Sequence, residues 1–347
     1  MDQRELLTQA RGLEAAGELR DAASRYDQAY ALNPADTEVA EARAALLDRM
    51  AVTEHGITFR YIPAGTFLMG SPDGDLDEHP AHKVRLGDVW MAETPTSWWT
   101  FCNLMGWALP PDGVPPEGID SDFRWGLHIG NQIRWQYCED ATTRATDWHA
   151  HNPQLRLTRG DGESVSAEEF FGSVPRDPEA PWRYERKPMV GVSWTAAAEL
   201  GERMSDDRVR YRLPTEAEWE RAARGGLPGR RYPWGDEPPT PERCDFDRFS
   251  EFAIRPVKDT PPNGYGLYGM AGSVWEWTSD WYDAEYYRNS PAADPRGPVE
   301  GTERVLRGGS WSDCADAVGV SFRMSREPDD GLTPSIGFRL CREEPAR

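Results

Sequence analysis

No uninterrupted apolar run in this chain reaches membrane-spanning length, so no transmembrane helix is expected. The start, MDQRELLTQ, has neither a basic stretch nor an apolar core, which sets a secretory leader aside. Cysteine is sparse: Cys102, Cys138, Cys244, Cys314 and Cys341 are odd in number, widely scattered, and never spaced as CxxC. That pattern argues against a zinc site or a disulfide framework, and a reducing cytoplasm fits it best. Positive charge is short as well, with 39 basic against 59 acidic side chains and a net charge of −20. Such an acidic surface repels phosphate backbones and anionic headgroups, so neither nucleic acid nor membrane is expected as a partner.

What the chain does have is tryptophan, glycine and proline. With 15 Trp, 32 Gly and 29 Pro among 347 residues, and only 38% hydrophobic residues, it describes a loop-rich fold. The core of such a fold is built from large aromatics rather than long helices. The length allows one large domain with an appendage, or two domains, and a core that needs no covalent staples.

Residues 1–50 differ from the rest, being poor in Gly and Pro and rich in Ala, Leu, Glu and Arg. Leu6, Ala10, Leu13 and Ala16 recur at helical spacing up to Gly17. Leu19, Ala22, Ala23, Tyr26, Ala29, Tyr30 and Leu32 follow, and Pro34 stops them. A third helix is expected after Asp36, with Val39, Ala42 and Leu46 on one face. The first two resemble a tetratricopeptide helical hairpin, carried by Ala10, Leu13, Gly17, Ala22, Tyr26, Ala29 and Pro34, and the third resembles a capping helix. A single repeat cannot build a concave peptide groove, so a docked appendage or a dimer contact is as well supported as peptide recognition.

From residue 54 to 343 the pattern turns to short strands. FRYIPAGTFLMGS (59–71) reads as a β-hairpin about Pro-Ala-Gly, HKVRLGDVWMAETP (82–95) as another strand pair, and Ser97 to Leu104 as a short aromatic helix. Residues 106–181 form a loop-rich insert carrying His128, His149 and His151, long enough to be functional or partly mobile. A helix is expected from Ser193 to Met204. Another lies within 210–226, opened by Thr215 and Glu218 at capping-box spacing and closed by Gly225-Gly226.

Six segments then occur in order: IPAGTFLMGS (62–71), RLPTEAEWERAARGG (212–226), YPWGDE (232–237), NGYGLYGMAGSVWEWTSDWY (263–282), RVLRGGSW (304–311) and IGFRLC (336–341). In GSVWEW, a strand puts Trp275 and Trp277 on one face and Glu276 on the other. In RGGSW, two glycines before a strand mark a bend or a close approach of backbone. Together the segments resemble the family of formylglycine-generating enzymes and sulfatase-modifying factors. The resemblance implies an irregular mixed α+β, C-type-lectin-like fold with little regular secondary structure.

It also implies cofactors. Calcium is expected from backbone oxygens near Gly272 and Val274 with the Glu276 carboxylate; the family's second site would lie near Asp245 and Phe246, where Asp replaces the common Asn and a carboxylate without metal is the favoured reading. Ser273 stands where the family has Asn, and the other reading of Glu276 is a carboxylate hydrogen-bonded to turn amides. The family's copper(I) lies between two cysteines, three and eight residues beyond the Ser of GGS. Counted from Ser310, those positions are Asp313 and Val318, while Cys314 is one residue off register and turned to the opposite face, so copper is not expected. The related iron-dependent sulfoxide synthases carry a histidine triad in an amino-terminal bundle, and residues 1–50 hold no histidine.

The function expected is that of an atypical or degenerate member that binds a peptide or protein partner. Ser310, Trp275 and Arg323 would line the old substrate cleft, with Asp313 and Cys314 beside them. One alternative is a variable ligand-binding protein of a diversity-generating retroelement, whose variable patch would be Trp311 to Pro334 before IGFR. Another is a metal-dependent oxidase with atypical ligands, centred on Cys314 or on the insert's histidines.

Overall fold

A computed structural model describes residues 1–106, 156–158, 163–166, 186–248, 254–329 and 335–344. His128, His149, His151 and Cys138 therefore lie outside the described residues, as does most of the insert. No helix among the described residues is long and apolar enough to cross a membrane.

Three helices open the chain: α1 (Gln3–Ala15), α2 (Leu19–Leu32) and α3 (Thr37–Met50). Asp2 begins α1 through a capping box with Glu5, and Asp36 accepts the free amides of Glu38 and Val39 at the start of α3. Ala10, Ala22 and Ala23 are buried together, and small residues there let α1 and α2 pack closely. Strands β1 (Val52–Glu54) and β2 (Ile57–Ile62) follow directly.

This helical unit is tied into the rest of the molecule by buried polar contacts. Arg43, 2% exposed, donates to Asp27 at 2.7 and 3.0 Å and to the Gly264 carbonyl at 2.6 Å. Its guanidinium lies between the rings of Tyr30 and Tyr265, 4.5 and 4.4 Å from their centroids. Asp27 also accepts from Tyr265 at 2.9 Å and from Arg221 at 3.2 Å, so one carboxylate joins α2 and α3 to two later segments.

Beyond β2 come β3 (Gly65–Met69), β4 (His82–Leu86), β5 (Val89–Ala92) and α4 (Trp98–Met105), capped by Ser97. The expected strands form, but their pairing differs from the expected hairpins. β2 pairs with β5 and β3 with β4, and the register runs on from Ile62 opposite Val89 to Gly65 opposite Leu86. Residues 57–92 are thus one long ribbon, and Pro63-Ala64 is its bend rather than its turn. Pro63 has no amide to give the ladder, and its carbonyl accepts instead from Arg221 at 2.8 Å.

A short pair, β6 (Arg156–Thr158) and β7 (Ser164–Ser166), precedes α5 (Trp194–Met204), β8 (Arg210–Arg212) and α6 (Glu216–Ala223). Ser193 caps α5, and Thr215 with Glu218 forms the expected capping box of α6. The chain then supplies β9 (Trp275–Trp281), β10 (Arg304–Arg307), β11 (Arg323–Arg326), β12 (Ile336–Gly337) and β13 (Cys341–Glu343). One sheet has the order β1-β2-β5-β13-β8 and the other β11-β10-β9-β12, with β12 parallel to β9. The main core fills the space between sheets and helices with Trp98, Trp219, Trp275, Trp277, Phe101 and Phe338. The mixed, irregular α+β architecture is the one expected.

Candidate functional site

β10 ends in Gly308 and Gly309, at φ +101° and +70°, where L side chains are strained. Both positions are also crowded. A Cβ at Gly308 would come within 3.0 Å of the Trp219 ring, and one at Gly309 within 2.7 Å of the Ala317 carbonyl. These glycines turn the chain into the segment Ser310 to Val318, where the copper-binding thiolates were sought.

Ser310 is fully buried. Its hydroxyl donates to Asp313 Oδ2 at 2.5 Å, its amide donates to the same oxygen at 3.0 Å, and Ser312 Oγ lies 3.0 Å away. Asp313 therefore acts as an acceptor that closes the four-residue turn Ser310 to Asp313. Val318 is buried with Tyr232, Cys244 and Ala271 in an apolar cluster. The exposed Cys314 is the sole thiol of this segment. A hydrogen-bonded carboxylate and a buried valine do not fit a copper(I) ion that needs two soft thiolates.

The other residues expected along the cleft lie in the interior instead. Trp275 is 3% exposed and packs against Phe322 with ring centroids 6.0 Å apart. Arg323 is held by Glu216 at 2.7 and 3.1 Å and by the Asp77 carbonyl at 2.8 Å, and it stacks over Tyr287. Ser310, Trp275 and Arg323 are thus set among core residues, and of the five candidates only Asp313 and Cys314 reach solvent.

Glu276 also meets protein rather than open space. Its carboxylate accepts from Arg339 at 2.6 and 2.7 Å and from the Trp219 indole at 2.8 Å, and neither Glu276 nor Arg339 is exposed. Arg339 continues to the carbonyls of Ala92 and Tyr268, at 3.1 and 2.7 Å. A guanidinium thus neutralises the carboxylate expected to hold calcium beside Gly272 and Val274, where Gly272 instead bonds through its amide to the Gly308 carbonyl. Asp245 accepts from Arg248 at 3.0 Å and from the Arg255 amide at 2.9 Å, and burial pushes its carboxyl upward. Among the described residues no three His, Cys, Asp or Glu side chains converge on one point. The carboxylate partners present are those of a salt-bridged interior, and they fit calcium poorly.

That interior is a network which sequence reasoning overlooked. From α6, Glu216 meets Arg323, and Glu220 meets both Arg307 at 2.5 Å and Arg224 at 2.6 Å. The signal was present in TEAEWERAAR, where two glutamates stand four apart, on one face of a helix. Asp280 is buried beside them, accepting the Glu216 amide at 2.9 Å. Burial, then the Glu216 charge, pushes its carboxyl up to about 7.

Comparison with known proteins accords with this geometry. The model of the sulfatase-modifying factor enzyme 1-like domain matches residues 46–344. The formylglycine-generating enzyme of Thermomonospora curvata is 39% identical over 319 residues, covering 82% of this chain and 92% of that one. The formylglycine-generating enzyme of Streptomyces coelicolor is 45% identical over 172 residues, which span 45% of this chain and about half, 52%, of the relative. Among solved structures, PvdO from Pseudomonas aeruginosa shares the fold with a TM-score of 0.57 at 22% identity, over 84% of this chain and 97% of PvdO. The chain belongs to the family of the sulfatase-modifying factor enzyme 1-like domain.

Proposed function

We propose that this chain is an atypical family member that binds a protein or peptide partner and does not oxidise cysteine by the copper route. The observation that carries the reading is the pair of side chains at the thiolate positions: Asp313, closed onto Ser310, and Val318, buried in an apolar cluster. Two soft ligands are needed there, and neither residue is one. Formylglycine-generating activity belongs to the relatives named above, and the family fold without those ligands leaves a rigid scaffold whose loops are free to serve recognition.

The test is to load the purified protein with copper(I), mix it with a cysteine-containing peptide in air, and follow the peptide by mass spectrometry. An unchanged cysteine, together with binding of that peptide by calorimetry, is the expected result. Conversion of the cysteine to an aldehyde would overturn the proposal. Elemental analysis of protein purified without chelator separates the oxidase alternative, since stoichiometric copper or iron would demand ligands other than Asp313 and Val318. A template repeat near the coding sequence, differing only at adenines, would favour the variable-protein alternative instead.

A further inference from the structure

A cavity of 630 Å³ opens between α5, the edge strand β8 and the end of β9. That volume lies within the range of about 300–1,000 Å³ typical of small-molecule sites. Its walls include Trp194, Ser279, Arg210 and Arg296. It is separate from the Ser310 turn, none of whose residues lines it.

Behind two of these wall residues sits Arg304. Its guanidinium is clamped between two indoles, 3.4 Å from the Trp281 centroid and 3.9 Å from that of Trp194. Nη1 donates to the Ser279 carbonyl at 2.6 Å, and Nε is buried with no partner. Among the described residues neither Arg304 nor Arg296 forms an ion pair, whereas Arg212, on the same wall, is taken up by Glu218 and Glu343. Desolvation, offset only in part by the charge of Asp280, holds Arg304 down at about 10. A flat cation fixed by stacking, with no salt bridge among the described residues, is unusual in a chain of net charge −20 that supplies carboxylates freely.

We propose that this cavity binds a small monocarboxylate ligand, its carboxylate on Arg296, its body along the wall that includes Trp194, and Arg304 behind Trp194 and Ser279 adding positive charge to that wall. The planar fork of a guanidinium matches a carboxylate in shape as well as charge. The wall also carries Glu202, Asp206 and Asp207. These three acids repel a polyanion, so a nucleotide or dianionic phosphate suits the cavity less well than a monoanion.

The test is calorimetric titration of the full chain with acetate, benzoate and N-acetyldiglycine, then N-acetyldiglycine amide and inorganic phosphate. Wild type, Arg304→Gln and Arg296→Gln are compared. Arg296 is exposed, so its variant is expected to fold even if replacing the stacked Arg304 perturbs the two indoles. At least one monocarboxylate is expected to bind, with affinity about ten-fold lower in each variant, and the amide to bind at least ten-fold more weakly than its acid. Equal binding of acid and amide, unchanged affinity in Arg296→Gln, no binding of any acid, or phosphate binding tighter than every acid would each overturn the proposal.

Discussion

Replacing Asp27 with alanine removes the acceptor that serves Arg43, Arg221 and Tyr265 at once. Arg43 and Arg221 are 2% and 5% exposed, so water cannot take the place of the missing carboxylate without opening the contact between helices and domain. Truncating one side of a buried ion pair costs about 3–5 kcal/mol, because the remaining charge is left desolvated. Against a total stability of about 5–15 kcal/mol that is a large fraction. It corresponds to a fall in melting temperature of roughly 4–7 °C for a chain of 347 residues, at about 2.1 cal/mol/K of unfolding entropy per residue. Thermal and urea unfolding followed by near-ultraviolet circular dichroism, which reports the buried tryptophans, reads the change. The double variant Asp27→Leu/Arg43→Met is expected to recover at least half of the loss, since an apolar pair needs no counter-charge and Arg221 retains the Pro63 carbonyl at 2.8 Å. A loss below about 1 kcal/mol in Asp27→Ala, or separate melting of residues 1–50 in the wild type, would refute the view that the helices and domain unfold as one unit.

Asp280 should set a pH dependence. A carboxyl whose folded pKa of about 7 lies above its ordinary value adds stability while protonated, at low pH, and loses it as pH rises from about 4 through 7. Asp280→Asn, which can still accept the Glu216 amide, should therefore flatten the wild type's decline and be the more stable protein at pH 8, by on the order of 3 kcal/mol in urea melts. Glu276→Ala should lower stability by about 3 kcal/mol or more, because it strands the fully buried Arg339 without its carboxylate; calcium added to the wild type should leave the melting temperature unchanged, as the guanidinium already balances that carboxylate. Peptide mapping after brief maleimide treatment should find Cys314 labelled ahead of Cys102, Cys244 and Cys341, which are buried; for Cys244 burial also pushes the thiol up to about 12.

Local features were the most legible in the sequence. Capping by Ser97, Ser193 and Thr215 follows from residue types a few positions apart, and the helices begin where those types stand. The pairing of 57–69 with 82–92 was misread because a proline between two strand-like runs signals a turn and a bend equally well. The cleft was misread for a different reason. β9 is flanked by β10 and β12 and buried from Trp275 to Thr278, so alternation of Trp and Glu marks two interior faces rather than an inside and an outside. Glu276 finds Arg339 63 residues further on, and no local pattern announces a partner at that distance. The absence of cysteine at positions 313 and 318, by contrast, was readable by counting from Ser310, because it depends on residue identity alone.

The order of strands in the larger sheet has a consequence for biosynthesis. β13 lies between β5 and β8, and pairs with both. Until residues 341–343 have left the ribosome, β5 and β8 each present an unpaired edge, and a gap one strand wide divides the sheet. The nascent chain must therefore wait, with its tryptophans incompletely covered, for the strand that follows all the others of this sheet in the chain. A protein closed in this way is exposed to chaperones and proteases until β13 is made, and a stop codon ahead of residue 341 would remove an interior strand of the sheet.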